Sequence, residues 1–243
     1  MAVRKVKIDS MDFDISYEIF NKDKNIDLII LHGWGSNKEV MKSAFLKFMP
    51  NFRHIYIDMP GFGKSSNDYS LTTNLYFNII DRFLKDLGAK KDIVIGHSFG
   101  GKVALLLRPK LLVLLSSAGI VAKKPFKVRA KITLFKALKP LFGDRFYKLF
   151  ATKDVEGMSK NMYETLKNVV DEDFSSLFKS YDKESLIFWG REDKTTPLES
   201  GKKIASLMKG SLFFEMEGDH YFFLKNAKEI SKKIEEKVLD AHL

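Results

Sequence analysis

Cysteine is absent from the 243 residues, which excludes disulfides, thiolate metal sites and a cysteine nucleophile. Histidine is scarce, with five in the chain, at positions 32, 54, 97, 220 and 242. No two of them stand at metal-ligand spacing, so no metal centre is expected. Long apolar runs are also missing. The densest, Leu111 to Leu115, falls far short of the ~20 residues that span a bilayer. The first twenty residues, MAVRKVKIDSMDFDISYEIF, alternate charged and apolar side chains and lack the apolar core of a signal peptide. A cytoplasmic protein without a membrane span is the expectation. Acidic residues are fewer than basic ones, 31 against 41, for a net charge of +10. The excess is local: Lys123 to Lys153 carries ten basic residues against the single acid Asp144. That segment reads either as a solvated lysine-rich surface or as a patch for an acidic partner. No nucleic-acid-binding module accompanies it, so nucleic acid is not expected.

What is present is a sizeable apolar fraction, 45%, arranged in short runs. Val3 to Phe20 contains two alternating segments with a turn between them, which predicts a β-hairpin. Runs at 27–31, 54–57, 92–95, 111–115, 185–189 and 211–214 are apolar on nearly every residue, as in strands buried on both faces of a parallel sheet. Helical patterns at 38–49, 71–87, 197–208 and 227–238 alternate with them. An α/β architecture follows, a mostly parallel sheet flanked by helices, whose ligands bind at the carboxyl ends of the strands. Between Ile120 and Tyr181 no strand is predicted. Lysines and phenylalanines at helical spacings there suggest short amphipathic helices, a cap of residues 121–180 inserted into a core of 1–120 and 181–243.

The stretch IGHSFGG, Ile95 to Gly101, sets Ser98 between glycines two residues away on each side, after a strand and before a helix. This is the pattern of a nucleophile elbow, a turn so tight that glycine is needed at its flanks. A serine hydroxyl is a weak nucleophile and needs a histidine base, itself oriented by a carboxylate. Elimination among the five histidines leaves His220, in Glu217-Gly218-Asp219-His220, just after the last predicted strand. The acid should fall between serine and histidine in chain order, and Asp193, in WGREDKTTP, does so; Glu192 is the fallback. Asp219 reads as a loop-capping carboxylate. The amide of Phe99, at the start of the helix, and that of Trp34, in His32-Gly33-Trp34-Gly35, are the candidate oxyanion donors. The GKS at 63–65 is not a phosphate loop, because the required first glycine is Asp58. Gly33-x-Gly35 is followed by Lys38 where a dinucleotide motif needs glycine, so no nucleotide cofactor is expected.

With these residues assembled, the chain resembles the α/β-hydrolase superfamily: LHGWG, DMPGFGKSS, GHSFGG, WGREDKTTP and GDH match its landmarks in order over nearly the whole length. Ser98 sets it apart from the haloalkane dehalogenase and epoxide hydrolase branches, which resemble this fold but place aspartate there. HGWG paired with D-x-P-G-F-G-x-S is similar to pimeloyl-acyl-carrier-protein methyl ester esterases and related small carboxylesterases. The layout also resembles meta-cleavage-product hydrolases, which break a carbon–carbon bond in 2-hydroxy-6-oxo-dienoates. Those usually carry Asn before the serine and Trp after the histidine, where this chain has His97 and Tyr221. The ten residues from Gly101 to Lys110 are fewer than the family usually places there.

The resemblance implies an ester hydrolase acting through an acyl-enzyme, with Ser98, Asp193 and His220 as the triad. His32, Gly33, His97, Tyr221, Phe126, Arg129 and Arg145 are candidate pocket residues. It also implies a small-molecule ester or acyl substrate, and an acidic acyl carrier protein as a candidate partner of the basic cap. Two alternatives stand beside it: a dienoate carbon–carbon hydrolase, with Arg129 or Arg145 binding the substrate carboxylate, and a ligand-binding protein that keeps the fold without turnover.

Overall fold

A computed structural model describes residues 1–121 and 158–240. Within them the chain runs β1 (Ala2–Ile8), β2 (Met11–Phe20), β3 (Ile26–Leu31), α1 (Lys38–Phe45), β4 (Phe52–Ile57), α2 (Thr73–Leu87), β5 (Ile93–His97), α3 (Phe99–Leu107) and β6 (Leu111–Leu115). It continues through α4 (Lys160–Val169), α5 (Ser175–Lys179), β7 (Glu184–Gly190), α6 (Leu198–Leu207), β8 (Leu212–Met216) and α7 (Phe223–Asp240). Eight strands form one sheet in the order β1-β2-β4-β3-β5-β6-β7-β8. Only β1–β2 and β2–β4 pair antiparallel; the other five pairings are parallel. The hairpin and the six apolar runs are therefore all strands, and the α/β-hydrolase expectation holds.

The near-continuous apolar runs have a simple cause. Successive strand residues face opposite sides of the sheet, and both sides are covered. Ile29, Leu31, Val94, Leu112, Leu114 and Trp189 pack on one side with residues of α2, α3 and α6. Their neighbours Leu28, Ile30, Ile93, Ile95, Val113 and Phe188 pack on the other with residues of α1 and α7. Each such side chain taken fully from water contributes about 1.5–3 kcal/mol.

Local signals fix the helix ends. Asn37 caps α1 by accepting from the Glu39 and Val40 amides, and Thr72 caps α2 by accepting from Leu75. Gly88, in the left-handed conformation at φ 66°, ends α2. The register aligns Leu31 with both Ile57 and Gly96, His97 with Leu115, and Gly190 with Met216. Hence the loops carrying HGWG, DMPGFG, GHSFG, GREDK and EGDH all leave from the same edge of the sheet.

The helices α4 and α5 lie in sequence between β6 and β7. Thr165 accepts from the Leu71 amide through Oγ1 at 2.9 Å, and Asn161 donates to the Asn67 carbonyl at 2.7 Å. Lys102 of α3 is buried, and its Nζ sits 2.8 Å from Glu172 and 2.5 Å from the Val169 carbonyl. The Thr73 hydroxyl also donates to Glu172.

Candidate active site

Ser98 occupies the turn from β5 into α3 with φ 50° and ψ −116°, a backbone region costly for any residue with a Cβ. Three hydrogen bonds hold it there: Ser98 N–H to the Leu115 carbonyl, and the amides of Gly101 and Ala118 to the Ser98 carbonyl, each at 3.0 Å. The flanking glycines are required by contact. A Cβ on Gly96 would stand 2.5 Å from the Gly100 carbonyl oxygen, and one on Gly100 would stand 2.5 Å from that of His32. The first turn of α3 therefore presses directly on the end of β3.

That contact sets the HGWG loop beside the elbow. The Trp34 ring meets Phe99 and Phe62 edge-on at 5.7 and 4.9 Å. A Cβ on Gly33 would lie 3.1 Å from Ser98 Cβ. Phe99 is the first residue of α3, so its amide has no carbonyl within the helix to bond.

Asp193 follows β7, and its carboxylate is fully buried. Oδ1 accepts from the Thr195 and Thr196 amides at 2.8 and 2.9 Å. Oδ2 faces His220 Nδ1 at 2.7 Å and accepts from the Thr196 hydroxyl at 2.9 Å. Burial alone would raise its pKa, but the bonds from His220, Thr196 and Ser116 and the nearby imidazole outweigh that and bring it down to about 2. Because Nδ1 faces a carboxylate, it carries the proton, and His220 Nε2 is left with a free lone pair. Gly190, the last residue of β7, permits the approach of the two loops: a Cβ there would stand 2.3 Å from the Asp219 carbonyl oxygen.

Glu192 points elsewhere, accepting the Gly218 amide at 2.5 Å. The Asp219 carboxylate accepts from the Tyr221 amide at 2.8 Å. Thr196 and Ser116 are not among the candidates read from the sequence. The Thr-Thr pair two and three residues after Asp193 is the local signal, since such residues turn back onto a preceding carboxylate.

Of the candidate pocket residues, His32 is wholly buried with both nitrogens engaged, Nδ1 with the Gly33 carbonyl at 2.7 Å and Nε2 with the Met59 amide at 3.0 Å. It ties the β3 and β4 loops together, and burial holds its pKa down to about 4. His97 is buried against His220, with ring centroids 4.6 Å apart. Tyr221 is partly exposed, its ring 5.3 Å from His97 and 5.7 Å from His220. Phe126, Arg129, Arg145 and the basic run Lys123 to Lys153 lie outside the described residues. Among the described residues no group of three or more His, Asp or Glu could hold a metal, and no helix is long and apolar enough to cross a membrane.

The model of the alpha/beta hydrolase family matches residues 28–232. The chain belongs to that family. Among similar proteins, an uncharacterized hydrolase of Bacillus subtilis, YugF, is 24% identical, with 88% of this chain and 89% of that protein covered. A pimeloyl-[acyl-carrier protein] methyl ester esterase of Pectobacterium atrosepticum is 26% identical over 76% of this chain but only 59% of its own length. Two solved structures share the fold: an esterase from Exiguobacterium antarcticum (TM-score 0.75, 18% identity, 96% of this chain and 98% of that one) and a meta-cleavage product hydrolase from Pseudomonas fluorescens IP01 (TM-score 0.72, 18% identity, 98% of each).

Proposed function

We propose that this member of the alpha/beta hydrolase family is a serine carboxylesterase working through an acyl-enzyme. The observation that carries the reading is the 2.7 Å contact of Asp193 with His220 Nδ1 on the same edge of the sheet as the strained Ser98 turn. Ser98 Oγ attacks the ester carbonyl while His220 Nε2 takes its proton. Asp193, ionised at neutral pH, holds the Nδ1–H tautomer and stabilises the imidazolium. The oxyanion of the tetrahedral intermediate accepts from the Phe99 and Trp34 amides. His220 then returns the proton to the leaving alkoxide, which departs as the alcohol. Water, deprotonated by the same histidine, attacks the acyl-enzyme, and collapse of the second intermediate frees the carboxylic acid and Ser98.

Residues 121–180 form the cap in this reading, supported by the position of α4 and α5 between β6 and β7 and by their bonds to residues 67–73. The apolar rings of Trp34, Phe62 and Phe99 suit an acyl chain. An acyl carrier protein is the partner proposed for the basic run, on the strength of the esterase relative's name and the local charge. A dienoate substrate would need a cation by Ser98; its candidates Arg129 and Arg145 lie outside the described residues, and Lys102, four residues after Ser98, is engaged by Glu172 and the Val169 carbonyl. The test is hydrolysis of p-nitrophenyl esters from acetate to decanoate. Turnover by the wild type, lost in Ser98→Ala, is expected. Equal rates for the two proteins would overturn the reading.

A further inference from the structure

The residue before the nucleophile has a place in the structure that the triad does not account for. His97 Nε2 lies 3.0 Å from the backbone carbonyl of His220, 123 positions away in the sequence. A carbonyl can only accept, so Nε2 carries the proton and Nδ1 of the neutral ring is a bare acceptor. That Nδ1 is buried and has no hydrogen-bond partner among the described residues. It is packed on Gly33, where a Cβ would stand only 2.9 Å from it. A phenylalanine would fill the same space without an orphaned acceptor, so the imidazole is retained at a cost in polar satisfaction.

What the imidazole supplies in return is at the other end of the ring. The ring is tilted 48° against that of His220, with centroids 4.6 Å apart, and Tyr221 and Phe223 at 5.3 and 4.8 Å complete the enclosure. We infer that His97 is a positioning residue: its Nε2–H bond and ring contact fix the His220 loop against the turn that carries Ser98, setting the base relative to the nucleophile. The inference rests on the Ser98–His220–Asp193 reading and deepens it. One residue belongs to the nucleophile's strand and clamps the base's loop, so movement of either is transmitted to the other.

The ring does this in its uncharged form. Among the described residues, the titratable groups around it are His220 and Tyr221 from the β8 loop, Asp193 from the β7 loop and His32 from the β3 loop. Burial, with His220 adding to it, keeps the His97 pKa down at about 3, so the positive charge that forms during turnover stays on His220.

His97→Phe and His97→Gln test this. Phenylalanine keeps the packing and removes the donor; glutamine places an amide N–H at the reach of the lost Nε2–H. With an ester substrate, kcat of His97→Phe should fall ~10–100-fold, the scale of a misplaced catalytic group, with KM changed less than about 2-fold. His97→Gln should recover most of kcat. A folded His97→Phe protein within about 2-fold of the wild-type kcat overturns the inference, as does a kcat for His97→Gln no better than for Phe. Covalent labelling of the wild type by a fluorophosphonate separates the two levels: no adduct at Ser98 defeats the esterase reading itself, whereas normal labelling with an unaffected Phe variant defeats only the role of His97. Should the variants not fold, nitrogen-15 histidine spectra of the wild type decide. One neutral ring in the Nε2–H form down to pH 5, coupled through its Nε2–H to the His220 carbonyl, is expected; an Nδ1–H or charged His97 overturns the inference.

Discussion

Acidification from pH 7.5 to 5.0 should remove a large part of the stability of this protein. His32 and His97 are buried, and burial lowers their pKa values to about 4 and about 3. In the unfolded chain both rings titrate near the ordinary value of ~6.5. Below that pH the unfolded state binds protons that the native state refuses, so stability falls as pH falls. The contribution is complete above pH ~6.5 and is lost progressively down to the folded pKa values. For a ring that stays neutral when folded, the loss between pH 7.5 and 5.0 is about 2 kcal/mol, or ~4 kcal/mol for the two. His54, also buried and shifted downward, adds in the same sense. Against a net stability of about 5–15 kcal/mol the effect is easily measured. Urea unfolding at the two pH values is the assay, with slope and midpoint both fitted. His97→Gln should show a pH-dependent loss smaller by about 2 kcal/mol. A wild-type stability at pH 5.0 within ~1 kcal/mol of that at pH 7.5 would refute the argument, because rings that titrate freely cost nothing on acidification.

Other consequences are as direct. Asp193→Asn should leave the fold intact but cut kcat for ester hydrolysis by ~10³–10⁴, since an amide can hold the wrong His220 tautomer; steady-state kinetics with circular dichroism checks both halves. Gly100→Ala drives a methyl into the His32 carbonyl oxygen, so unfolding should show a loss of ~1–3 kcal/mol or more. Glu172→Ala leaves the buried Lys102 ammonium with a backbone carbonyl as its remaining hydrogen-bond acceptor. That should cost about 3 kcal/mol, and adding Lys102→Met should recover part of it. Thr196→Val removes the hydroxyl on Asp193 Oδ2 but keeps both backbone bonds to Oδ1, so a fall in kcat of less than ~10-fold is expected, read by the same kinetics.

The central strands were legible in the sequence because they are buried on both faces, which forces continuous apolar runs such as Leu111 to Leu115 and Ile187 to Trp189, and the β1–β2 hairpin was legible from its alternation. Helix termini were legible to a few residues. The pattern at 38–49 extends past the observed end at Phe45, since Phe48 and Met49 are apolar for another reason: Phe48 packs against the core and Met49 is buried at φ 58°. At the other end of the chain, α7 begins at Phe223, four residues before the predicted start, because Phe222 and Phe223 break helical spacing yet both reach the core.

Ser98, Asp193 and His220 could be nominated because a tight turn demands glycines and because five histidines allow elimination. Of their supporting residues, only Thr196, three positions after Asp193, carries a local signal. Ser116 reaches Asp193 only through the juxtaposition of β6 and β7, and His97 meets His220 only because the β5 and β8 loops fold over one edge. Such contacts join residues 77 (Ser116 and Asp193) and 123 (His97 and His220) positions apart and leave no periodic trace. Lys102 is a further case: a lysine in an apolar helix is ordinarily solvent-facing, and its burial depends on Glu172 arriving from another element.

The central claim is that Ser98 is a nucleophile activated by His220. Reaction of the protein with a fluorophosphonate, followed by intact mass and peptide mapping, tests it most directly. A single adduct on Ser98 is predicted, with its rate of formation falling sharply in His220→Ala. An unmodified Ser98, or labelling that proceeds equally fast without His220, would contradict the account.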